Sequence, residues 1–230
     1  MTRIVLNDGK YDYMALPYED DPDGEEALWD GGVYYERAMT LADPAKIEAR
    51  IRTFQAAEQL YLQATERGNA YASLCLGYVY SYDRCEGRYW RGDDANPDQP
   101  FPREQRAFEC FSLAAEAGIP EACYKLGDLY KRGIGCEPDA ASAYEWYIRA
   151  SKLAEAGETP VVLGSIALRL AECFEEGFGC EQSFSRALQM YRRAAQALEV
   201  AVDEGETWYE KALFSAQAGV KRCSQEIALQ

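Results

Sequence analysis

Four segments of this chain repeat one pattern, and that repetition limits the fold more than any other feature. "AEQLYLQATERG" from Ala57, "AFECFSLAAEAG" from Ala107, "AYEWYIRASKLA" from Ala143 and "ALQMYRRAAQAL" from Ala187 each carry alanine, an aromatic four residues on, alanine at seven and a small residue at eight. The aromatics are Tyr61, Phe111, Tyr147 and Tyr191, and the second alanines are Ala64, Ala114, Ala150 and Ala194. Offsets of four, seven and eight share one stripe of an α-helix, so each segment is predicted to be a helix, here termed helix B.

A second motif lies between these segments. "YASLCLGYVY", "EACYKLGDLY" and "IALRLAECF" place Leu76, Leu126 and Leu170 directly before Gly77, Gly127 and Ala171, and are predicted as helix A. Glycine inside a helix costs about 1 kcal/mol relative to alanine, so its bare backbone must be closely approached. The expectation is two helix axes near the lower end of the usual separation, roughly 8 to 10 Å. Gly133 with Gly135, and Gly177 with Gly179, then end the helix in the left-handed conformation. Asp139 and Ser183, each four residues before a helix B alanine, are placed to cap the next helix.

The spacings close on a unit. Helix B alanine to the next motif leucine is 19 residues twice, and leucine to the following alanine is 17 twice, giving a 36-residue repeat. Two intervals are longer, 31 between Leu76 and Ala107 and 27 between Ala143 and Leu170, and these insertions are expected in connections or helix extensions near 82–102 and 155–163.

Small-x-x-x-Leu-Gly-x-x-Tyr, a Gly-x-Gly stop, a cap and Ala-x-x-x-aromatic-x-x-Ala-small together resemble the Sel-one-like repeat family, relatives of the tetratricopeptide repeats. The resemblance covers roughly Ala57 to Leu198. It implies an all-α fold, a right-handed α-α superhelix of antiparallel helix pairs, whose concave side commonly binds proteins or peptides. Four residues depart from the pattern: Ala171 replaces the glycine, Arg103 stands where a cap is expected, and Cys136 and Cys180 follow Gly-x-Gly in place of an apolar residue. The secreted branch of the family links helices through one cysteine just after the helix B alanine and one eight residues later. Here Cys123 holds the later position and Ala115 the earlier. The eight cysteines are accordingly read as reduced thiols that fill the core.

Three regions follow: an acidic segment over 1–24, extended or mobile; a solenoid of about four helix pairs over 25–205; and a C-terminal helix over 206–230 that covers its end. A first helix is expected from Glu25 to Met39, a second opening at Asp43 and Pro44 and running to Arg67, and the last from Trp208. The net charge of −15 argues against nucleic acid and anionic membrane surfaces. More than half of it sits in the first 43 residues, with three Lys or Arg against eleven Asp or Glu, a net of −8. The start has no apolar run of secretory length, and "PVVLGSIAL" stops at Arg169, so the chain reads as cytoplasmic. There is no histidine and no Cys-x-x-Cys pair, so no zinc site, metal or other cofactor is expected.

On helix A of the second unit the core stripe is Ala122, Leu126, Leu129 and Tyr130, which leaves Tyr124, Asp128 and Lys131 on the other side. The equivalent positions are Leu74, Tyr78 and Ser81, then Leu168, Glu172 and Glu175. If helix A lines the concave face, as in the family, this ladder is a groove, aromatic at one end and acidic at the other. The longer insertion brings Tyr82, Tyr89, Trp90, Arg91 and Phe101 together, residue types enriched at binding hot spots. The candidate partner-binding residues are therefore Tyr78, Tyr89, Trp90, Arg91, Tyr124, Asp128, Lys131 and Glu172. Ordinary surface packing of the ladder and anchoring of the loop on the first two units remain open. The function implied is a non-catalytic scaffold that binds a protein or peptide of basic character. The alternatives are a structural, self-associating repeat protein and a hydrolase using Asp128 and Glu172 as acid and base.

Overall fold

The computed structural model describes residues 21–41, 43–85, 103–154 and 159–229. All regular structure among them is helical: α1 (Glu25–Thr40), α2 (Ile47–Glu66), α3 (Ala70–Ser81), α4 (Arg103–Glu116), α5 (Pro120–Arg132), α6 (Ala140–Leu153), α7 (Pro160–Glu176), α8 (Phe184–Asp203) and α9 (Glu210–Leu229). The chain divides into two compact units, Met1–Ala114 and Ala115–Gln230. Helix B of the repeat is α2, α4, α6 and α8. Its predicted stripe is the core of each pair: Ala57, Ala64, Ala107, Ala114, Ala143, Ala150, Ala187 and Ala194 are all fully buried.

In the first unit α1 packs on α2, and α3 on α4. Asp21 opens α1: it is buried, and its carboxylate accepts from the N–H groups of Glu26 and Ala27, both at 3.1 Å. Asn69 caps α3 by accepting from the Ala72 N–H at 3.1 Å. Asp43 does accept from the Ala45 N–H at 2.9 Å, but the bond closes two residues on and opens a 3-10 turn, Pro44–Lys46, so the second helix starts later than the sequence predicted.

The second unit holds the pairs α5–α6 and α7–α8, followed by α9. Gly133 and Gly177 occupy the left-handed region, at φ 66° and 71°, and end α5 and α7 as their placement predicted. Asp139 accepts from the Ala141 and Ser142 N–H groups, and Ser183 from that of Arg186. The second insertion partly extends a helix: Thr159 caps α7, Pro160 takes its first turn, and the Gly164 backbone lies against Leu198 of α8. Residues 155–158 lie outside the described ones. The last helix starts at Glu210, because Thr207–Tyr209 forms a 3-10 turn.

A ring lies nearest to each of the helix A glycines. A Cβ added to Gly127 would sit 2.5 Å from Cε1 of Tyr147 and 3.1 Å from the Ala143 carbonyl oxygen, so both a phenol and the backbone of the partner helix come close to the bare Cα. Gly77 meets Phe111 in the same way at 2.7 Å. Two further glycines, not picked out from the sequence, repeat the contact: Gly31 of α1 under Tyr61 at 2.6 Å and Gly219 of α9 under Tyr191 at 2.5 Å. Gly127→Leu, which drives a branched side chain into the Tyr147 ring, is expected to destabilise the second unit by about 2 kcal/mol or more. Gly32, one residue from Gly31 and with nothing within 4 Å, supplies the contrast. Gly32→Ala is expected to stabilise by about 1 kcal/mol through helix propensity alone. Urea denaturation of the two variants checks both signs.

Candidate functional site

The site in the second unit is built from neighbouring A helices. Asp128 on α5 accepts from Nε and Nη2 of Arg169 on α7, at 2.6 and 2.5 Å, and from the Tyr147 hydroxyl at 2.9 Å. Two parallel bonds from one guanidinium to one carboxylate fix both side chains. Arg169 also donates from Nη1 to the Ser165 carbonyl at 3.0 Å, and its guanidinium carbon lies 4.6 Å from the centre of the Tyr124 ring. One turn further, Lys131 donates to Glu172 at 3.1 Å. Beyond that, Glu175 accepts from Nε and Nη2 of Arg222 on α9 at 2.8 and 2.9 Å, and from the Tyr191 hydroxyl. The stripe of Tyr124, Asp128 and Lys131 and the stripe of Leu168, Glu172 and Glu175 thus adjoin and are joined directly by the Lys131–Glu172 bond.

Charge in this ladder is strongly organised. Burial pushes the Asp128 carboxyl up, but the Arg169 guanidinium and the bonds it and Tyr147 donate outweigh that and hold it below the usual carboxylate range. Burial lowers Lys125, and the adjacent Arg169 lowers it further against the pull of Asp128 and Glu121. The Arg222 bonds hold Glu175 below its ordinary value.

Beside the ladder a pocket of about 250 Å³ opens in the second unit, lined by Tyr124, Lys125, Asp128, Arg169, Glu172 and Tyr209, among others. Of the residues picked out from the sequence, Tyr124, Asp128 and Glu172 line it, and Lys131 borders it through its bond to Glu172. Tyr124 is only 1% exposed: an A helix is flanked by its own partner helix and by the neighbouring A helix, so the side opposite its core stripe is covered as well. Tyr78 belongs to the first unit, where it stacks on Tyr82 at 6.0 Å and meets the edge of Phe111 at 5.5 Å. Tyr89, Trp90, Arg91 and Phe101 lie outside the described residues. Sequence reading missed Lys125, Arg169 and Tyr209. Arg169 was legible in one respect, as a charge that interrupts an otherwise apolar helix.

The pairing has a chemical consequence. A proton donor needs a carboxyl raised toward neutral pH, whereas Asp128 is held ionised and Glu172 is engaged with Lys131. Among the described residues no group of three or more Cys, Asp or Glu is arranged to hold a metal ion, and no helix is long and apolar enough to cross a membrane. All eight cysteines are free thiols, and Cys123 donates to the carbonyl of Ala115 at 3.6 Å.

Comparison with known proteins gives a consistent picture. Residues 87–119, 120–154 and 167–197 match the Sel1 repeat. Chitin synthase regulatory factor 1 of Schizosaccharomyces pombe is 40% identical over 85 residues, 37% of this chain and 16% of that protein. The ERAD-associated E3 ubiquitin-protein ligase component HRD3B of Arabidopsis thaliana is 27% identical over 137 residues, 60% of this chain and 20% of that protein. The match therefore spans a fifth or less of either relative. Among solved structures, a Sel1 repeat protein from Oxalobacter formigenes shares the fold, with a TM-score of 0.53 at 21% identity over 90% of this chain and 76% of that one.

Proposed function

This chain belongs to the Sel1-repeat family, and on that footing we propose that it is a non-catalytic adaptor that binds a protein or peptide on the α5–α7 face of its second unit. The observation that carries this reading is the pocket beside the bonded ladder. Its polar side chains are already ordered by bonds to one another, so a partner would lose little freedom in seating against them. Relatives named as a synthase regulatory factor and as a component of a ligase are in keeping with a role exercised on other proteins.

The chemistry of the face divides the partner's contacts. A net charge of −15 draws partners of basic character toward the chain as a whole. The pocket lining carries two cations, Lys125 and Arg169, and two carboxylates, Asp128 and Glu172; with Asp128 bonded to Arg169 and Glu172 to Lys131, it suits an uncharged side chain best. The basic residues of the partner would then engage the acidic surface around the pocket.

The test compares proteins cross-linked to the wild type in native lysate with those cross-linked to Lys125→Ala and Tyr209→Ala. Both substitutions alter the lining and leave the bonds between Asp128 and Arg169 in place, and thermal melts check that the fold is kept. The expected result is a specific partner whose cross-links map to α5 and α7 and whose recovery falls about tenfold in each variant. Cross-links confined to other helices, or recovery unchanged in both variants, would place binding elsewhere.

A further inference from the structure

The first and last helices each leave a large ring in solvent, within charge patterns that complement each other. On α1, Trp29 is 75% exposed and Val33, one turn on, 51%. On α9, Phe214 is 74% exposed, and Trp208 in the turn before it 74%. Single exposed apolar residues are ordinary, but a ring with an apolar neighbour beside it makes a small patch of the kind that contact surfaces use.

The flanking charges identify the occupant. Around Trp29, at −3 and +7 residues, stand Glu26 and Glu36; around Phe214, at −3 and +7, stand Lys211 and Lys221. Those offsets keep each pair on the stripe of its ring, about 15 Å apart along the axis at 1.5 Å per residue. The other exposed charges are Glu25 and Arg37 on α1, and on α9 Glu210, Glu226 and Arg222, the last engaged with Glu175; α1 stays net acidic, and the two lysines flank the α9 ring. Two α1 faces repel one another, and two α9 faces gain no ion pair. One α1 against one α9 sets both lysines opposite both glutamates with the rings between them.

We propose that this chain associates with further copies of itself head to tail, the outer face of α9 on one copy seating on the outer face of α1 on the next. Such a contact is heterologous: each pairing leaves one face of each kind free, and these either meet to close a ring or take up further copies. This inference does not rest on the α5–α7 pocket, and neither surface includes a residue of it.

Sedimentation velocity over a range of concentrations tests it on the full chain. The wild type is expected to associate as concentration rises, and less so at high salt, because exposed ion pairs are screened. Trp29→Ser and Phe214→Ser alter exposed rings only, so their melts should match the wild type while each alone loses association by about tenfold or more. An equimolar mixture of the two variants is the decisive sample. Each copy then retains one intact face of the opposite kind, and the mixture should form a dimer that does not grow. A wild type that stays monomeric at every concentration overturns the proposal. So does association that survives both substitutions, or a mixture that fails to restore it.

Discussion

Asp128→Ala is expected to destabilise the second unit by about 3 to 5 kcal/mol, the cost of leaving a largely buried partner charge uncompensated. The side chains of Arg169 and Asp128 are only 22% and 16% exposed. Removing the carboxylate strands the guanidinium against the Tyr124 ring and deprives the Tyr147 hydroxyl of its acceptor. Arg169→Met alone should be similarly costly, since it leaves Asp128 buried and ionised. The double variant Asp128→Ala, Arg169→Met should cost less than either single change, because no buried charge then remains. Urea denaturation of the four proteins closes a double-mutant cycle, and single effects that simply add would sink the claim that the two groups act as one. The pH dependence has a fixed sign. The carboxyl titrates below its unfolded value, so its contribution is in place above about pH 4 and is lost as the solution is acidified through the folded value.

The first unit is expected to behave in the opposite sense, and the cause is Glu58 on α2. It is fully buried, and neither carboxylate oxygen makes a hydrogen bond of ordinary geometry among the described residues. Burial pushes its carboxyl up to about 7 from an ordinary 4.5, and the nearby Cys85, Tyr80 and Arg106 offset only part of that. Cys110 is a further titratable group near it. The folded unit therefore holds this proton more tightly than the unfolded chain does. Stability contributed by the neutral acid is fully present below pH 4.5 and is lost as pH rises through 7, a span worth about 3 kcal/mol at 1.36 kcal/mol per unit. Glu58→Gln, neutral at every pH, is expected to gain about 2 to 3 kcal/mol near pH 8 and little near pH 4. Hydrogen exchange of the α2 and α3 amides reads this unit alone, apart from the contrary titration of Asp128. An amide protection profile that rises with pH in the wild type would overturn the assignment.

The helices of the repeat were legible because each obeys a local rule. The alanines and aromatics at offsets of four and seven, the glycine stops and the Asp139 and Ser183 caps depend on neighbours within a few turns, and the structure keeps them all. The anchoring leucine concealed the full extent of the pattern. Gly31 and Gly219 lack it, yet each follows a small residue four positions earlier, Ala27 and Ser215, just as Ser73 precedes Gly77 and Cys123 precedes Gly127. The position a ring needs bare is the glycine, and the leucine before it is incidental to that contact.

The sequence by itself thus determined the type, order and pairing of the helices, since periodicity, capping and glycine cost are properties of a single segment and the next one along. Only the tertiary structure decided what the ladder residues do. Asp128 and Arg169 are 41 positions apart, as are Lys131 and Glu172, and Glu175 and Arg222 are 47 apart. Charges so distant in sequence meet only when one helix pair settles on the next. That settling turned a stripe read as open groove into a bonded seam with a pocket beside it, because burying a charge is tolerable only where an opposite charge arrives with it.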